Sequence, residues 1–170
     1  SAIAGYLDRG SSYFIENEPA ILLAEEVCNA VPCADKVRYA TSGTEATFNC
    51  LRIARAYKKR DKILKFEGGY HGMHDYAVQS LYPGSRRTVA ESISGNTVDL
   101  HDFPTPIPDV PGIPKETTES VLIAPFNDLE TTSDIIQKHR HELAAVIVEP
   151  MQRIIPPKPG FLEGLRKITK

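Results

Sequence analysis

The sequence predicts an α/β fold, a largely parallel sheet flanked by helices. Three observations carry that reading. Short apolar runs alternate with segments of helical period; the runs Val121-Leu122-Ile123-Ala124 and Ala144 to Val148 are continuously apolar, as strands buried on both faces must be; and helix-start patterns follow strand ends.

The elements follow in order. From about Pro19 to Val31, Leu23, Val27, Ala30 and Val31 recur at helical spacing behind a proline suited to a first helical turn. Val37-Arg38-Tyr39-Ala40 reads as a short strand. Ser42-x-x-Glu45 is a capping box, and the helix it opens carries Ala46, Cys50, Ile53, Ala54 and Tyr57 along its apolar face. Lys62-Ile63-Leu64-Lys65-Phe66 is a second strand, and Gly68-Gly69-Tyr70-His71-Gly72 must be a loop. Between Asp99 and Glu119 fall Pro104, Pro106, Pro108, Pro111 and Pro114, five of the 13 prolines, without apolar period. That stretch, 99–119, is expected to be an extended surface connection. Val121 to Pro125 is a buried strand, Asn127 caps a helix reaching about His141 with Glu130 three residues on, and Ala144 to Glu149 is another strand. The prolines at 156, 157 and 159 lead into a final helix from Phe161, after which another strand is expected. No internal repeat and no second domain is evident.

Composition excludes several classes. A chain of 170 residues, 41% hydrophobic and 25% charged, is long enough for one buried core. Its 20 Lys and Arg against 22 Asp and Glu are scattered, so nucleic acid is not an expected partner. The apolar run from Leu143 to Val148 falls far short of the roughly 20 residues of a membrane helix. The opening Ser1-Ala2-Ile3-Ala4-Gly5 has neither an initiator Met nor a secretory signal, and the natural start is expected upstream. Cys28, Cys33 and Cys50 form no C-x-x-C pair and read as reduced thiols of a cytoplasmic protein, with Cys50 a packed small hydrophobe rather than a nucleophile.

Chemistry gathers at strand ends. The first turn of a helix offers unpaired N–H groups and the positive end of a dipole, which suits an anion. At Ser42-Gly43-Thr44 the glycine permits close approach and two hydroxyls add donors, so the turn reads either as a phosphate cradle or as a plain cap; the two are compatible. The loop around Tyr70 follows a strand at the edge where open parallel sheets bind ligands. Tyr70 is either a ring-stacking residue or a core tyrosine in a tight turn. His71 and His74 form H-x-x-H without a third candidate ligand, so no metal site is assigned. Asn127 follows a strand to the same edge, as does Glu149, which is either a site carboxylate or half of a structural ion pair.

With these strand ends in place, the sequence resembles the class III aminotransferases, pyridoxal-phosphate enzymes of fold type I, and especially the glutamate-1-semialdehyde 2,1-aminomutase-like branch. The resemblance runs along essentially the whole chain. It rests on Val37-Arg38-Tyr39 with Ser42-Gly43-Thr44-Glu45-Ala46, Arg52-x-Ala54-Arg55 with Arg60-Asp61-Lys62-Ile63, and Lys65-Phe66-Glu67-Gly68-x-Tyr70-His71-Gly72. Phe126-Asn127-Asp128 and Val148-Glu149-Pro150 with Pro159-Gly160-Phe161-Leu162 complete it.

The resemblance implies that residues 1–170 are a single partial large domain of such an enzyme. It implies that Ser42, Gly43 and Thr44 hold the phosphate of pyridoxal 5'-phosphate, that Tyr70 stacks on its pyridine ring with His71 beside it, and that Asn127 and Glu149 line the cofactor and substrate site. The family's aspartate for the pyridine nitrogen and its cofactor-binding lysine are expected beyond Lys170, so no catalytic residue is assigned within the chain. The family's N-terminal arm, the rest of its large domain and its C-terminal domain are likewise expected outside it. Met151-Gln152-Arg153-Ile154-Ile155 departs from the glycine-containing stretch of many relatives, which leaves specificity open. The implied activity is aminomutase-like transfer of an amino group on a small amino substrate, or transfer between an amine and a keto acid, in a homodimer; a non-catalytic phosphate-binding module is the rival of another class.

Overall fold

A computed structural model of the chain describes residues 3–9, 16–82 and 103–170, the side chains of 7–9 excepted. The residues fall into two compact units, 1–39 and 40–170.

The first unit holds a 3-10 turn, Ala4–Arg9, and helix α1, Glu18–Ala30. Asn17 caps α1 by accepting the amide of Ala20 (3.0 Å), and Pro19 sits in the first turn, where its missing N–H costs nothing. Val37–Ala40 forms no strand: the segment joins no ladder, and Tyr39 instead donates its hydroxyl to the Ala20 carbonyl (2.6 Å).

The second unit is built on three parallel strands in the order β2-β1-β3: β1 is Lys62–Phe66, β2 Val121–Ala124 and β3 Leu143–Val146. Ile63 pairs with Val121 on one side of β1 and with Ala145 on the other, past a register shift at Lys62/Ile63. Side chains alternate across the sheet. Leu64 and Phe66 join Leu122 and Ala124 on the face covered by helices α4 (Leu129–His139) and α5 (Phe161–Ile168). Gly164 lets α5 come close to α4, since a Cβ there would collide with Leu129 Cδ2. The opposite face carries Ile63, Val121 and Ile123, which pack with Leu51 of helix α2, Gly43–Lys58. The flanked parallel sheet expected from the sequence is thus the observed one.

Four details differ. On α2 most of the predicted apolar stripe faces out: Ile53 is 58% and Tyr57 83% exposed, Ala46 is exposed and Cys50 is exposed rather than packed, while Ala54 alone of the stripe is partly covered. The helix instead buries Leu51, with Thr47, Phe48 and Ala54 partly covered. Two overlapping stripes of similar polarity run along this helix, and the sheet's Ile63, Val121 and Ile123 select the one centred on Leu51.

At the start of α4 the cap is Asp128, whose carboxylate accepts Thr131 N at 3.0 Å and Thr131 Oγ1 at 2.7 Å. An anionic acceptor one residue later outcompetes the carboxamide, and Asn127 turns into the left-handed region (φ 67). The proline-rich connection, of which 103–119 are described, is not wholly superficial. Ile107 is buried and Phe103 packs against the core; Ser80 N donates to Ile107 O and Ile123 N to Pro104 O, so the connection satisfies backbone groups that would otherwise be orphaned. The connection also contains the short helix α3, Lys115–Glu119. Lastly, β3 is shorter than predicted, ending at Val146; Ile147 N still donates to Leu64 O at 2.9 Å, and Val148 and Glu149 continue past the ladder. Among the described residues no helix is long and apolar enough to cross a membrane.

Candidate cofactor site

Because the three strands are parallel, their carboxyl ends lie at one edge, and the candidate site is formed by loops leaving that edge together with the start of α2, which no strand precedes among the described residues. The first wall is the start of α2. Ser42 has extended backbone (φ −153, ψ 161) and its Oγ accepts Glu45 N at 3.2 Å. Glu45 reaches back not to Ser42 but to Thr41, accepting its amide (2.9 Å) and its hydroxyl (2.6 Å). With Ala46 N on Ser42 O, the amides of Gly43 and Thr44 are the first-turn donors that point out of the helix end. A Cβ built on Gly43 meets nothing within 4 Å, so the space in front of the turn is open.

The second wall is the loop after β1. Gly68 (φ 79) and Gly72 (φ 100) adopt backbone that side-chain-bearing residues rarely enter. At Gly72 proximity adds to conformation, for a Cβ there would fall 2.7 Å from Thr44 Cα. Two hydrogen bonds close this junction: Met73 N donates to Thr44 Oγ1 (3.2 Å), and Thr47 Oγ1, one turn further along α2, donates to His71 O (2.6 Å). Loop and helix start are therefore one assembly.

Tyr70 leaves that loop with half its surface exposed, and its backbone amide donates to Glu149 Oε1 at 2.6 Å. The other Glu149 oxygen accepts Arg153 N at 2.8 Å. Glu149 thus uses its charge on backbone amides, a charge-assisted arrangement that fixes the height of the tyrosine above the sheet edge. Asn127 spends its carboxamide elsewhere: Nδ2 donates to Pro156 O (3.0 Å) and Oδ1 accepts Lys158 N (2.7 Å). The structure thus joins Tyr70 and Glu149 by a direct hydrogen bond and ties the same loop to the start of α2, through Met73 to Thr44 and through His71 to Thr47. Ser42 and Gly43 share the Thr44 turn, and Asn127 braces the segment that follows Glu149.

His71 is 7% exposed, and burial together with the charge of Lys65 pushes its imidazole down to about 4, so the ring is neutral at physiological pH. Its Nε2 has no hydrogen-bond partner among the described residues. Lys65 itself is fully buried in the middle of β1 and donates to Ala77 O (3.1 Å) and Gln79 O (2.5 Å). Burial lowers it to about 8, against the opposing pull of Asp109 and Glu149.

Thr47, Lys65, Gln152 and Arg153 also make contacts here, although the sequence assigns none of them a role at the site. Lys65 did carry a signal, being a charge inside an otherwise apolar strand, and Thr47 lies one helical turn from Thr44. Gln152 and Arg153 carried none, because they act on backbone carbonyls brought close only by folding.

The first turn offers two outward amides, and the loop joined to it through Gly72 and Met73 carries the half-exposed Tyr70, a donor set and a ring of the kinds that a phosphorylated heteroaromatic group would need. Comparison with known proteins points the same way. A family model described as Aminotransferase class-III matches residues 7–170. A glutamate-1-semialdehyde 2,1-aminomutase from Methanococcus maripaludis is 40% identical over 173 aligned positions, covering 100% of this chain and 36% of the relative. An omega-transaminase from Sphaerobacter thermophilus superposes with a TM-score of 0.83 at 37% identity, over 99% of this chain and 36% of that one. A transaminase with PLP bound gives 0.79 at 28% identity, over 98% and 36%. The chain spans about a third of the length of these relatives.

Proposed function

The chain belongs to the class III aminotransferases, and from that premise we propose that the complete protein is a pyridoxal-phosphate enzyme whose phosphate cradle is the Ser42–Thr44 turn. The observation that carries the proposal is the junction just described: an open helix start joined through Gly72 and Met73 to the loop that presents Tyr70.

In this reading the amides of Gly43 and Thr44 and the hydroxyls of Ser42 and Thr44 bind the phosphate at the positive end of α2. Thr44 Oγ1 accepts Met73 N and keeps its own proton for a phosphate oxygen. Tyr70 offers its ring face to the pyridine ring, at a height set by Glu149. His71, held neutral, fills the space behind the loop without adding a charge. Asn127 keeps the segment after Glu149 in place through Pro156 and Lys158. When bound, the cofactor supplies an electron sink for the carbanion left after an amino substrate loses its α proton. The residues of this chain bind and orient. Lys65 is not an amine free for bond-making, because its Nζ is committed to two carbonyls inside the sheet.

For the complete enzyme we favour the aminomutase-like reaction, moving an amino group within one small substrate, because several curated relatives near 40% identity carry the name glutamate-1-semialdehyde 2,1-aminomutase. The second reading, transfer between an amine or amino acid and a keto acid, is supported by the omega-transaminase at 37% identity. The proposal takes the enzyme as a cytoplasmic homodimer. Supplying the complete enzyme with glutamate-1-semialdehyde alone and, separately, with amine plus keto acid decides between the two. Turnover only of the first establishes the mutase and turnover only of the second the transaminase; inactivity towards both, with and without added pyridoxal phosphate, would favour a phosphate-binding module.

A further inference from the structure

The segment after Glu149 makes more contacts with the Tyr70 loop than a plain connection needs. Gln152 is buried, and its Nε2 donates to Glu67 O at 2.7 Å. Arg153 donates from Nε to Gly68 O (3.0 Å) and from Nη2 to Leu81 O (3.0 Å), while its guanidinium lies 5.7 Å from the centre of the Tyr82 ring. Its own amide goes to Glu149 Oε2, the partner of the oxygen that holds Tyr70 N. Residues 149, 152 and 153 therefore grip the loop at Glu67, Gly68 and Tyr70 and tie it to the later segment at Leu81.

The backbone of Arg153 is left-handed (φ 55), a conformation that a residue with a side chain adopts at a cost and keeps only where its surroundings over-determine it. The surroundings that do so are the three hydrogen bonds above. A guanidinium suits the task, since its rigid fork presents several donors at once, whereas an ammonium is a point charge on a flexible stem.

We infer that Arg153, supported by Gln152, is a positioning residue for the cofactor ring: it clamps the Gly68–Tyr70 backbone and sets the plane of Tyr70 without touching the cofactor. This rests on the stacking role proposed above for Tyr70. The clamp acts on the ring wall and leaves the phosphate wall at Ser42–Thr44 alone, and that separation makes it testable.

The test uses the complete enzyme stripped of cofactor, titrated with pyridoxal 5'-phosphate and separately with inorganic phosphate, alongside the melting temperature of each stripped protein. Arg153→Gly removes the clamp and at the same time relieves the positive φ. The expected result is a three- to tenfold weaker Kd for pyridoxal 5'-phosphate, about the worth of one aromatic stack, with inorganic phosphate binding within about twofold of wild type; the melting temperature falls because Gly68 O and Leu81 O lose their donors, offset in part by the relieved φ. In Arg153→Gly combined with Tyr70→Ala, the loss should not exceed that of Tyr70→Ala alone. Arg153→Lys, which keeps the charge and stem but not the fork, should fall between wild type and glycine, and it carries the test if the glycine variant melts early. Wild-type affinity in both Arg153 variants, equal losses for cofactor and inorganic phosphate, or multiplying losses in the double variant would overturn the inference. If Tyr70→Ala leaves cofactor affinity unchanged, the stacking role fails first and the inference with it; if Tyr70→Ala weakens binding and the Arg153 variants do not, the inference alone fails.

Discussion

Replacing Gly72 by alanine should separate the two walls of the site. The added Cβ would lie 2.7 Å from Thr44 Cα, 2.8 Å from Thr44 Oγ1 and 3.1 Å from Thr44 Cβ. Non-bonded carbons rest at about 3.5 to 4.0 Å, so the overlap is on the order of 1 Å and two of the three atoms belong to the rigid first turn of α2. Overpacking of this kind costs about 1–3 kcal/mol. A side chain at φ 100 adds roughly 1–3 kcal/mol. The expected loss is about 2–6 kcal/mol, or a retreat of the loop that breaks the Met73–Thr44 bond and weakens cofactor binding. Gly112 provides the control, with φ 95 and nothing within 4 Å of an added methyl, so alanine there carries the conformational cost alone. Chemical denaturation of the stripped complete enzyme, wild type and both variants, measures the difference. Equal stability of the two alanine variants would refute the claim that Gly72 is required by contact with Thr44.

Two further predictions rest on the same junction. Thr47→Val keeps the shape of the side chain but leaves His71 O without its donor, and should cost about 1–3 kcal/mol of stability in the same denaturation assay; a loss below a few tenths would show that the bond contributes nothing. The second concerns acid. The folded His71 titrates near 4, below the ordinary 6.5, so as pH falls from 6.5 the unfolded chain takes up the proton first and stability drops until about pH 4. The whole shift is worth at most about 3 kcal/mol, and His71→Gln should lose stability less steeply across that window; parallel pH profiles would count against a buried neutral imidazole.

Local chemistry made much of this fold readable. Lys62–Phe66 was delimited by its apolar run and the glycines that follow, and Ser42 by its cap, because both signals act within a few residues. Which stripe of α2 is buried was not readable. Ala46, Cys50 and Ile53 are as apolar as Thr47, Phe48 and Leu51, and only the sheet decides between them. The cap moved from Asn127 to Asp128 for a similar reason, since Asn127 is drawn away by the backbone of Pro156 and Lys158, 29 and 31 residues distant. At the site, the strand-end rule located Tyr70 and Glu149 as neighbours, and the structure joins them by one 2.6 Å bond. The clamp by Gln152 and Arg153 stayed hidden because its acceptors are carbonyls, which no sequence pattern distinguishes.

The central claim, that the Ser42–Thr44 turn holds the cofactor phosphate, is tested most directly by Gly43→Ala in the complete enzyme. Among the described residues a methyl there meets no atom within 4 Å outside the adjoining residues and the helix's own backbone, and alanine favours the helix, so the stripped protein should be as stable as wild type or slightly more so. The same methyl occupies the space in front of the first-turn amides, and the account predicts that affinity for pyridoxal 5'-phosphate and for inorganic phosphate falls together, by tenfold or more. Unchanged affinity for both would contradict it.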